Sequence, residues 1–281
     1  MDREWIVSGR SGIRKLSLPD MSWGISAPMD HVSALCAQGG CIFLAGRDAI
    51  CSVDARTLLP QRIFAAAPDV RALLLSPDGL RLYALCSGAD SVLMLSAATG
   101  EAQVLCRAGL CPPSMALGED GECLFVAGGK RPGVLIYCAH TLHLLREIPM
   151  PGPVCALAVR GGILAALCMT DTLDTLLVCT DCRGEKRVQR KFCGFPGALA
   201  LQEGALLAGV QERLLAVSVP ELRVLRSFPA PGRASLLSLG GGALMYLNQM
   251  NETLYLFRGG RFLALSGDVS AFAPLERIQP C

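Results

Sequence analysis

Short apolar runs alternate with turn residues along the chain, and the stretch 70–103 shows the repeating unit most clearly. Its four apolar runs are separated by Ser76-Pro77-Asp78-Gly79, by Ser87-Gly88-Ala89-Asp90 and by Ala98-Thr99-Gly100. Pro and Gly at these places favour tight turns between extended segments. The stretch therefore predicts an antiparallel meander of four strands.

The second and third runs of this unit are apolar on both faces. Leu82 and Ala84 alternate with Tyr83 and Leu85, and residues 92–95 are all apolar. An antiparallel sheet that stands alone usually has one wet face, so this sheet is expected to lie between two others. Radial repetition of such sheets around an axis buries both faces and leaves few open edges. The pattern predicts one blade of a β-propeller.

Less regular copies of the unit recur about every 40 residues, which is the length of a propeller blade. Gly-rich turns follow the first strand of each copy, and prolines gather where one copy passes to the next. The first strands are marked by Ala34, Ala72, Ser114, Ala156, Ala198 and Leu236. Six complete blades are predicted from about residue 32 to residue 268.

The two ends of the chain together supply a further blade. Residues 269–274 have a first-strand pattern, and Trp5–Ser11 matches Ile42–Asp48 position by position. Residues 1–31 are therefore expected to form three strands, and residues 269–281 the innermost strand of the same sheet. The sequence predicts an all-β, seven-bladed propeller with four antiparallel strands per blade, formed by residues 1–281 as a single domain.

Composition adds limits on function and location. A net charge of +2 over 281 residues gives no general attraction to nucleic acid. No apolar run approaches the roughly 18 residues of a membrane helix, and the first residues lack the features of a secretory signal. A cytoplasmic protein without membrane contact is expected, and the 14 cysteines are interpreted as reduced thiols that mostly replace Ala, Val or Leu in the core.

Cys179-Thr-Asp-Cys182 has the spacing of a zinc knuckle. A structural zinc site needs four ligands, usually from two such pairs, and the sequence has no second pair. Two ordinary thiols at the end of a hairpin are the favoured interpretation, so neither a metal nor another cofactor is predicted.

Arg183, Lys186, Arg187, Arg190 and Lys191 form a basic run on a predicted outermost strand. Charges at such a place protect a sheet edge from pairing with another chain. Nucleic-acid binding is the less favoured alternative, because no aromatic residues are interleaved with the charges.

The turns of the stretch 70–103 resemble those of the bacterial YVTN-repeat propellers, the YncE-like family of the WD40-like superfamily. Ser76-Pro77-Asp78-Gly79, Leu82-Tyr83-Ala84-Leu85-Cys86, Ser87-Gly88-Ala89-Asp90 and Ala98-Thr99-Gly100-Glu101 stand where that family has its turns and its Leu-Tyr-Val-Thr-Asn strand. The resemblance extends to residues 113–140 and is only periodic elsewhere. It implies a bacterial seven-bladed propeller, whereas the functions of the family are too varied to transfer.

Similar seven-bladed folds include sugar lactonases, whose metal-free members use His, Glu and Arg at the axial mouth. Of the three histidines here, His31 is placed near a mouth, while His140 and His143 fall in a turn and an outer strand. A non-catalytic binding or scaffolding module is therefore the favoured function. A lactonase-like hydrolase is the alternative, and no catalytic residue is assigned.

Candidate binding residues lie in loops that are expected to surround the axial mouth, because loops carry function and pockets favour such mouths. Alignment of the blades places polar side chains there, including Asp69 and Arg233 from the crossings between blades. Eight of these side chains are the candidate ligand-binding residues: Arg10, Arg47, Asp90, Lys130, Arg131, Asp171, Glu212 and Asn248.

Arg10 and Arg47 occupy the same loop position in neighbouring blades, so their guanidinium groups are expected to converge. Guanidinium pairs with carboxylate or phosphate through two parallel hydrogen bonds. We therefore predict that a monomer binds a small anion, or an acidic side chain of a protein partner, between these arginines. The alternative is that they only form ion pairs at the rim, for example with Asp48.

Overall fold

The computed structural model describes residues 3–9, 12–18, 20–29, 31–38, 40–46, 49–64, 69–108, 111–202, 204–240, 243–248, 250–258 and 261–275. Within these ranges the chain forms twenty-eight strands, which pair into seven antiparallel sheets of four strands each. No helix of the length and apolarity needed to cross a membrane occurs in this part of the chain.

The strands follow the predicted order of blades. The chain begins with three strands of the closing blade, β1 (Arg3–Gly9), β2 (Gly12–Leu18) and β3 (Ser22–Ala27). Blade 1 consists of β4 (Ala34–Gln38), β5 (Cys41–Ala45), β6 (Ile50–Asp54) and β7 (Pro60–Phe64), and blade 2 of β8 (Val70–Leu75), β9 (Arg81–Cys86), β10 (Ser91–Ser96) and β11 (Ala102–Arg107). Blade 3 consists of β12 (Met115–Leu117), β13 (Cys123–Ala127), β14 (Gly133–Cys138) and β15 (Leu144–Pro149).

The remaining strands complete the ring. Blade 4 consists of β16 (Val154–Arg160), β17 (Ile163–Met169), β18 (Thr175–Asp181) and β19 (Arg187–Phe192), and blade 5 of β20 (Pro196–Gln202), β21 (Ala205–Val210), β22 (Arg213–Ser218) and β23 (Val224–Pro229). Blade 6 consists of β24 (Leu236–Gly240), β25 (Ala243–Asn248), β26 (Thr253–Arg258) and β27 (Arg261–Ser266), after which β28 (Val269–Leu275) is the inner strand of the closing blade. The inner strands β4, β8, β12, β16, β20, β24 and β28 contact one another in that cyclic order.

Each blade buries both faces of its sheet, as its sequence predicts. On β9, Leu82 and Ala84 point into the apolar core shared with blade 1, whereas Tyr83 and Leu85 point into the core shared with blade 3. The phenol of Tyr83 donates a hydrogen bond of 2.8 Å to the carbonyl of Ala139 in blade 3. The apolar stabilisation of the ring is therefore distributed over the contacts between blades.

The turn after β8 shows how the sequence sets a hairpin. The Asp78 carboxylate accepts the N–H of Leu80 at 2.9 Å, and the hydroxyl of Ser76 accepts the N–H of Arg81 at 2.9 Å. Gly79 has a φ of +71°, which residues with a side chain rarely adopt. The Ser and Asp side chains of the Ser-Pro-Asp-Gly sequence thus accept the backbone N–H groups that follow the turn.

The closing blade has the strand order β28-β1-β2-β3, which confirms the predicted composite sheet. Val7 pairs with Phe272 across the join, and the rings of Trp5 and Phe272 lie 5.9 Å apart. The buried hydroxyl of Ser8 donates to the carbonyl of Ala271 at 3.0 Å. The two ends of the chain are therefore joined by a backbone ladder and a shared core.

Candidate functional site

A central channel of about 740 Å³ follows the axis of the ring, and the seven inner strands form its walls. We call one end of it the mouth, defined as the end where the inner strands begin and where the turns between second and third strands lie. The N–H of Ser87, in such a turn, donates to the carbonyl of Asp69 just before β8, which places both segments at the mouth. The strand registers place one residue of each blade at equivalent positions here: Ser33, Arg71, Pro113, Cys155, Gly197, Ser235 and Ser270.

Most side chains at this level are small, and the serines hydrogen-bond to their own sheets. Ser33 Oγ donates to the carbonyl of Ala45 at 3.2 Å, and Ser235 Oγ donates to the carbonyl of Leu247 at 2.8 Å. Small residues whose hydroxyl groups turn back to the sheet leave the axis open.

Arg71 is the one residue with a charged side chain among the described residues that line the channel. It stands between Val70, which pairs with Cys86, and Ala72, which pairs with Leu85, so it is the extra residue of a β-bulge. A bulge redirects the side chain of the inserted residue. The Arg71 side chain is 61% exposed, and its Nε lies 3.1 Å from Oδ1 of Asp69.

A second guanidinium lies near the channel. Burial raises the pKa of the Cys155 thiol in the channel wall, and the positive charge of Arg233 opposes that shift. Arg233 lies in the crossing that precedes β24, at the end where the inner strands begin, whereas Cys155 lies on β16. Two cations are therefore close to the mouth, and no carboxylate or imidazole belongs to the described lining residues.

Two of the predicted loop residues hold the crossings between blades. The Asp90 carboxylate accepts the N–H of Cys111 at 2.7 Å. Asn248 is buried, donates from Nδ2 to the carbonyl of Pro231 at 2.8 Å and accepts the N–H of Met250 at 3.0 Å. Both side chains fasten a turn of one blade to the crossing beside it.

The other described candidates lie on the rim of the mouth. Arg131 pairs with Glu147 at 2.6 Å, and Lys130 and Asp171 are exposed without a hydrogen-bond or ion-pair partner among the described residues. Glu212 is also exposed, and its charge contributes to the raised pKa of Tyr246, which is mainly due to burial. None of the six described candidates belongs to the lining of the channel.

Arg10 and Arg47, together with Asp48, lie outside the described residues. The anion site that the sequence suggests between these two arginines therefore stays a prediction. Arg71 was not among the sequence candidates, although a signal for it exists. It is a lone arginine in the apolar first strand Val70-Arg71-Ala72-Leu73, at the position that is Ser or Gly in several sister blades.

The cysteines of the Cys-Thr-Asp-Cys sequence do not share a face of blade 4. Cys179 is buried in the core between blades 4 and 5, whereas Cys182 packs against the core between blades 3 and 4. In the part of the chain that the structure describes, no three His, Cys, Asp or Glu residues are arranged to hold a metal ion.

The basic run lies on and before β19 and contacts neighbouring segments. Arg187 donates to the carbonyl of Pro149 in blade 3, and Arg190 donates to the carbonyl of Leu222 in blade 5 at 2.9 Å. Lys191 pairs with Asp174 at 2.9 Å, and this contact lowers the pKa of Asp174. Arg187 and Arg190 thus connect blade 4 to the blades on both sides, whereas the ion pair of Lys191 lies within blade 4.

Comparison with known proteins supports the fold and identifies no family. No protein-family model matches the chain, and no curated protein matches it in sequence. A chain of a solved structure described as a mitotic checkpoint complex is similar in fold, with a TM-score of 0.78, 15% identity, and coverage of 90% of this chain and 86% of that one.

Two further structures give the same result. Hydrazine synthase of Kuenenia stuttgartiensis matches with a TM-score of 0.71 and 14% identity over 83% of this chain and 78% of that one. The computationally designed Ika8 protein matches with a TM-score of 0.70 and 15% identity over 86% of this chain and 77% of that one. Similarity at this level of identity is a statement about the fold alone.

Proposed function

We propose that this propeller is a non-catalytic binding module that receives an acidic group at the mouth of its channel. The observation that carries the proposal is Arg71, a guanidinium directed by a bulge into a channel whose other described lining residues are uncharged. The ligand group would be a carboxylate or a phosphate, either on a small molecule or on a side chain of a protein partner.

The geometry of Arg71 suits this role. Asp69 contacts it through Nε, and its two terminal nitrogens have no hydrogen-bond partner among the described residues. Two parallel N–H groups match the two oxygens of a carboxylate or phosphate. Within a walled channel such a pair is screened less by water and salt than it would be on an open surface.

The rim residues would orient the ligand. Lys130 and Arg131 are exposed on blade 3, whereas Asp171 and Glu212 are exposed on blades 4 and 5. A ligand with an acidic end and a basic end would be turned by this separation of charge. We include these residues, and the undescribed Arg10 and Arg47, in the proposed binding surface.

The proposal is tested by titration calorimetry with inorganic phosphate, citrate and a short acidic peptide, each at low and high salt. Arg71→Ala should weaken binding of the preferred probe by about tenfold or more, because a charge-assisted bond contributes about 1.5–3 kcal/mol. Stronger binding of the peptide than of citrate would identify the protein partner as the source of the acidic group.

Arg62→Ala is the matched control, because Arg62 is an exposed arginine on the outer strand β7 and its removal changes the net charge equally. It should leave binding unchanged, and Arg71→Lys should retain part of it. Equal affinities of the wild type, Arg71→Ala and Arg62→Ala proteins for every probe would contradict the proposal.

We further propose that the chain is a diverged relative of the YVTN-repeat propellers and acts as a monomer in the bacterial cytoplasm. The Ser76-Pro77-Asp78-Gly79 turn, whose side chains close the hairpin, supports the first part. The unpaired state of the described cysteines is compatible with a reducing compartment. The hydrolase alternative gains no support from the described channel lining, where no acid and base converge.

A further inference from the structure

One position at the face opposite the mouth caps the turn between the third and fourth strands of successive blades. In blade 1 the Asp54 carboxylate accepts the N–H of Thr57 at 2.7 Å, and in blade 2 the Ser96 hydroxyl accepts the N–H of Thr99 at 3.2 Å. The same position is occupied by Asp181 in blade 4 and by Ser218 in blade 5, and both accept turn N–H groups. Local acceptors of this kind are typical of Asp and Ser.

Blade 3 has Cys138 at this position. The register that pairs Cys41 with Asp54 in blade 1 pairs Cys123 with Cys138 in blade 3, so the two turns are equivalent. A thiol is a weak acceptor, whereas a thiolate is a strong one, as the carboxylate of Asp54 is. The turn therefore presents donors where they stabilise a negatively charged sulfur.

The direction in which the pKa of Cys138 is shifted agrees with this geometry. Hydrogen bonding from the Thr141 side chain, followed by that from the His140 N–H, lowers the pKa of the Cys138 thiol. Burial has the opposite effect on Cys123, whose pKa is raised. Since thiolates are the nucleophilic form, Cys138 is the more reactive of the two.

Cys123 lies directly across the ladder from Cys138, on β13. The N–H of Cys138 points away from β13 and donates to the backbone carbonyl of His143. The N–H of the next residue, Ala139, points toward the other strand and donates to the carbonyl of Glu122 at 2.8 Å. Hydrogen-bonded pairs alternate along an antiparallel ladder, so Cys123 and Cys138 form a non-hydrogen-bonded pair. Such pairs have Cα atoms about 4.5 Å apart, and opposite side chains share one face. This separation lies at the short end of the range that a disulfide spans, about 4.4–6.8 Å.

We propose that Cys123 and Cys138 are a redox modification site, at which peroxide converts the pair to a cross-strand disulfide that thiols can reduce. The Cys138 thiolate attacks one oxygen of hydrogen peroxide, the O–O bond breaks, and the departing hydroxide takes a proton to form water. Cys138 is then a sulfenic acid. The Cys123 sulfur attacks it, the S–S bond forms, the S–O bond breaks, and the second hydroxide leaves as water with the proton of Cys123. Two electrons pass from the sulfurs to the peroxide.

Cys182 provides a competing partner. It packs against the same interblade core as Cys123, and its pKa is raised by burial and, to a smaller extent, by the charge of the Cys123 sulfur. Cys182 lies in a turn of blade 4, however, whereas Cys138 is fixed opposite Cys123 by the ladder. The register therefore favours the bond within blade 3 over the bond between blades.

The test is disulfide mapping by mass spectrometry after treatment of the whole reduced protein with hydrogen peroxide and blocking of the remaining thiols. A peptide cross-link between Cys123 and Cys138, removed by dithiothreitol, is expected. Alkylation of the untreated protein near neutral pH should modify Cys138 several-fold faster than Cys193, although both lie at the surface and Cys193 is the more exposed.

Two variants separate chemistry from folding. Cys138→Ser should fold normally, because Ser96 and Ser218 cap the equivalent turns, and it should abolish the cross-link. Cys182→Ala should leave the cross-link unchanged. A dominant bond between Cys123 and Cys182 in the wild type, or no cross-link while both cysteines stay alkylatable, would overturn the proposal.

Discussion

Blade 2 and the closing blade have the same four-stranded sheet but are held together in different ways. In blade 2 five residues, 76–80, connect the inner strand to its neighbour, and the side chains of the Ser76–Gly79 turn accept backbone N–H groups of this connection. In the closing blade no turn connects β28 to β1, and Ser8 meets Ser270 across a separation of 262 positions. One sheet is thus closed locally, and the other by side-chain packing and the ladder alone.

The difference shows what a covalent connection between the inner strand and its neighbour contributes to a blade. Both sheets bury both faces against neighbours, so the interblade cores do not depend on how the strands are connected. Connection matters for chain entropy, because a long loop costs more to close than a short turn. The join between β28 and β1 is therefore expected to be the weakest part of the ring, and the following changes test this.

Removal of residues 269–281 should have the largest effect. The deletion takes away β28, and with it the buried Val269, Ala271 and Phe272 from two interblade cores, and leaves the edge of β1 open. We expect aggregation or loss of a cooperative thermal transition, measured by circular dichroism and light scattering. A chain that ends at Leu275 keeps β28 whole and is the control. Unchanged melting of the shorter protein would mean that the ring does not depend on closure.

Truncation of one inner-strand side chain in blade 2 and of one in the closing blade compares these two sheets directly. Phe272 and Leu73 occupy equivalent positions and are 3% and 4% exposed. Phe272→Ala should lower the free energy of unfolding by about 3–5 kcal/mol and Leu73→Ala by about 2–5 kcal/mol.

The two truncations should differ in where the protein opens. Phe272→Ala should accelerate amide hydrogen exchange in β28 and β1 before the rest of the ring, because no turn holds these strands together. Leu73→Ala should not open β8 separately. Uniform exchange in both variants would show that the join is as stable as blade 2.

Substitution of two buried serines should change the free energy of unfolding by a smaller amount, and in different directions in the two blades. Ser8 of the closing blade donates to Ala271, whereas the buried hydroxyl of Ser91 in blade 2 has no partner among the described residues. Ser8→Ala should cost about 1 kcal/mol in urea unfolding, and Ser91→Ala should be neutral or stabilising. Ala45 occupies the position of Ser8 in blade 1, so the alanine fits. A stabilising Ser8→Ala would contradict the role of this bond at the join.

The smallest effect is expected for Asp78→Asn in the blade 2 turn. The hydrogen bond from Ser76, then that from the Leu80 N–H, lowers the pKa of Asp78, so the folded state favours the carboxylate. The resulting stabilisation is present above the unfolded-state pKa of about 3.9 and is lost as pH falls through the lower folded-state pKa.

Because Asp78 is exposed, we expect the wild type to exceed Asp78→Asn by less than about 1 kcal/mol at pH 7. The difference in urea unfolding should shrink as the pH is lowered below about 4, where the wild-type carboxyl is protonated too. A difference that does not change with pH would exclude the carboxylate as its source.

The fold could be predicted from the sequence because its signals are periodic. Runs such as Leu82–Leu85 are apolar on both faces wherever a sheet lies between two others, and the turn residues recur with the blades. The match of Trp5–Ser11 to the second strand of blade 1 predicts the composite sheet, and the structure confirms it by placing β1 between β28 and β2.

The site could be predicted only in part, because a polar loop residue does not reveal its partner. Asp90 and Asn248 are at the mouth as expected, yet they bind backbone groups of the adjacent crossings. Arg71 stands out in the sequence as a charge in an apolar strand, but the bulge that turns it toward the channel is seen only in the register of the partner strand. The equivalence of Cys138 to the turn-capping residues of other blades likewise follows from the strand register and not from the sequence alone.

The composite sheet also sets an order of events during synthesis. β1–β3 leave the ribosome before the six complete blades, and their inner strand β28 follows about 260 residues after β1, on the order of 10–50 s at typical translation rates. During that interval six blades can form while the apolar edge of β1 has no partner strand. The nascent chain is therefore an open arc with an unpaired edge until β28 has left the ribosome and pairs with β1.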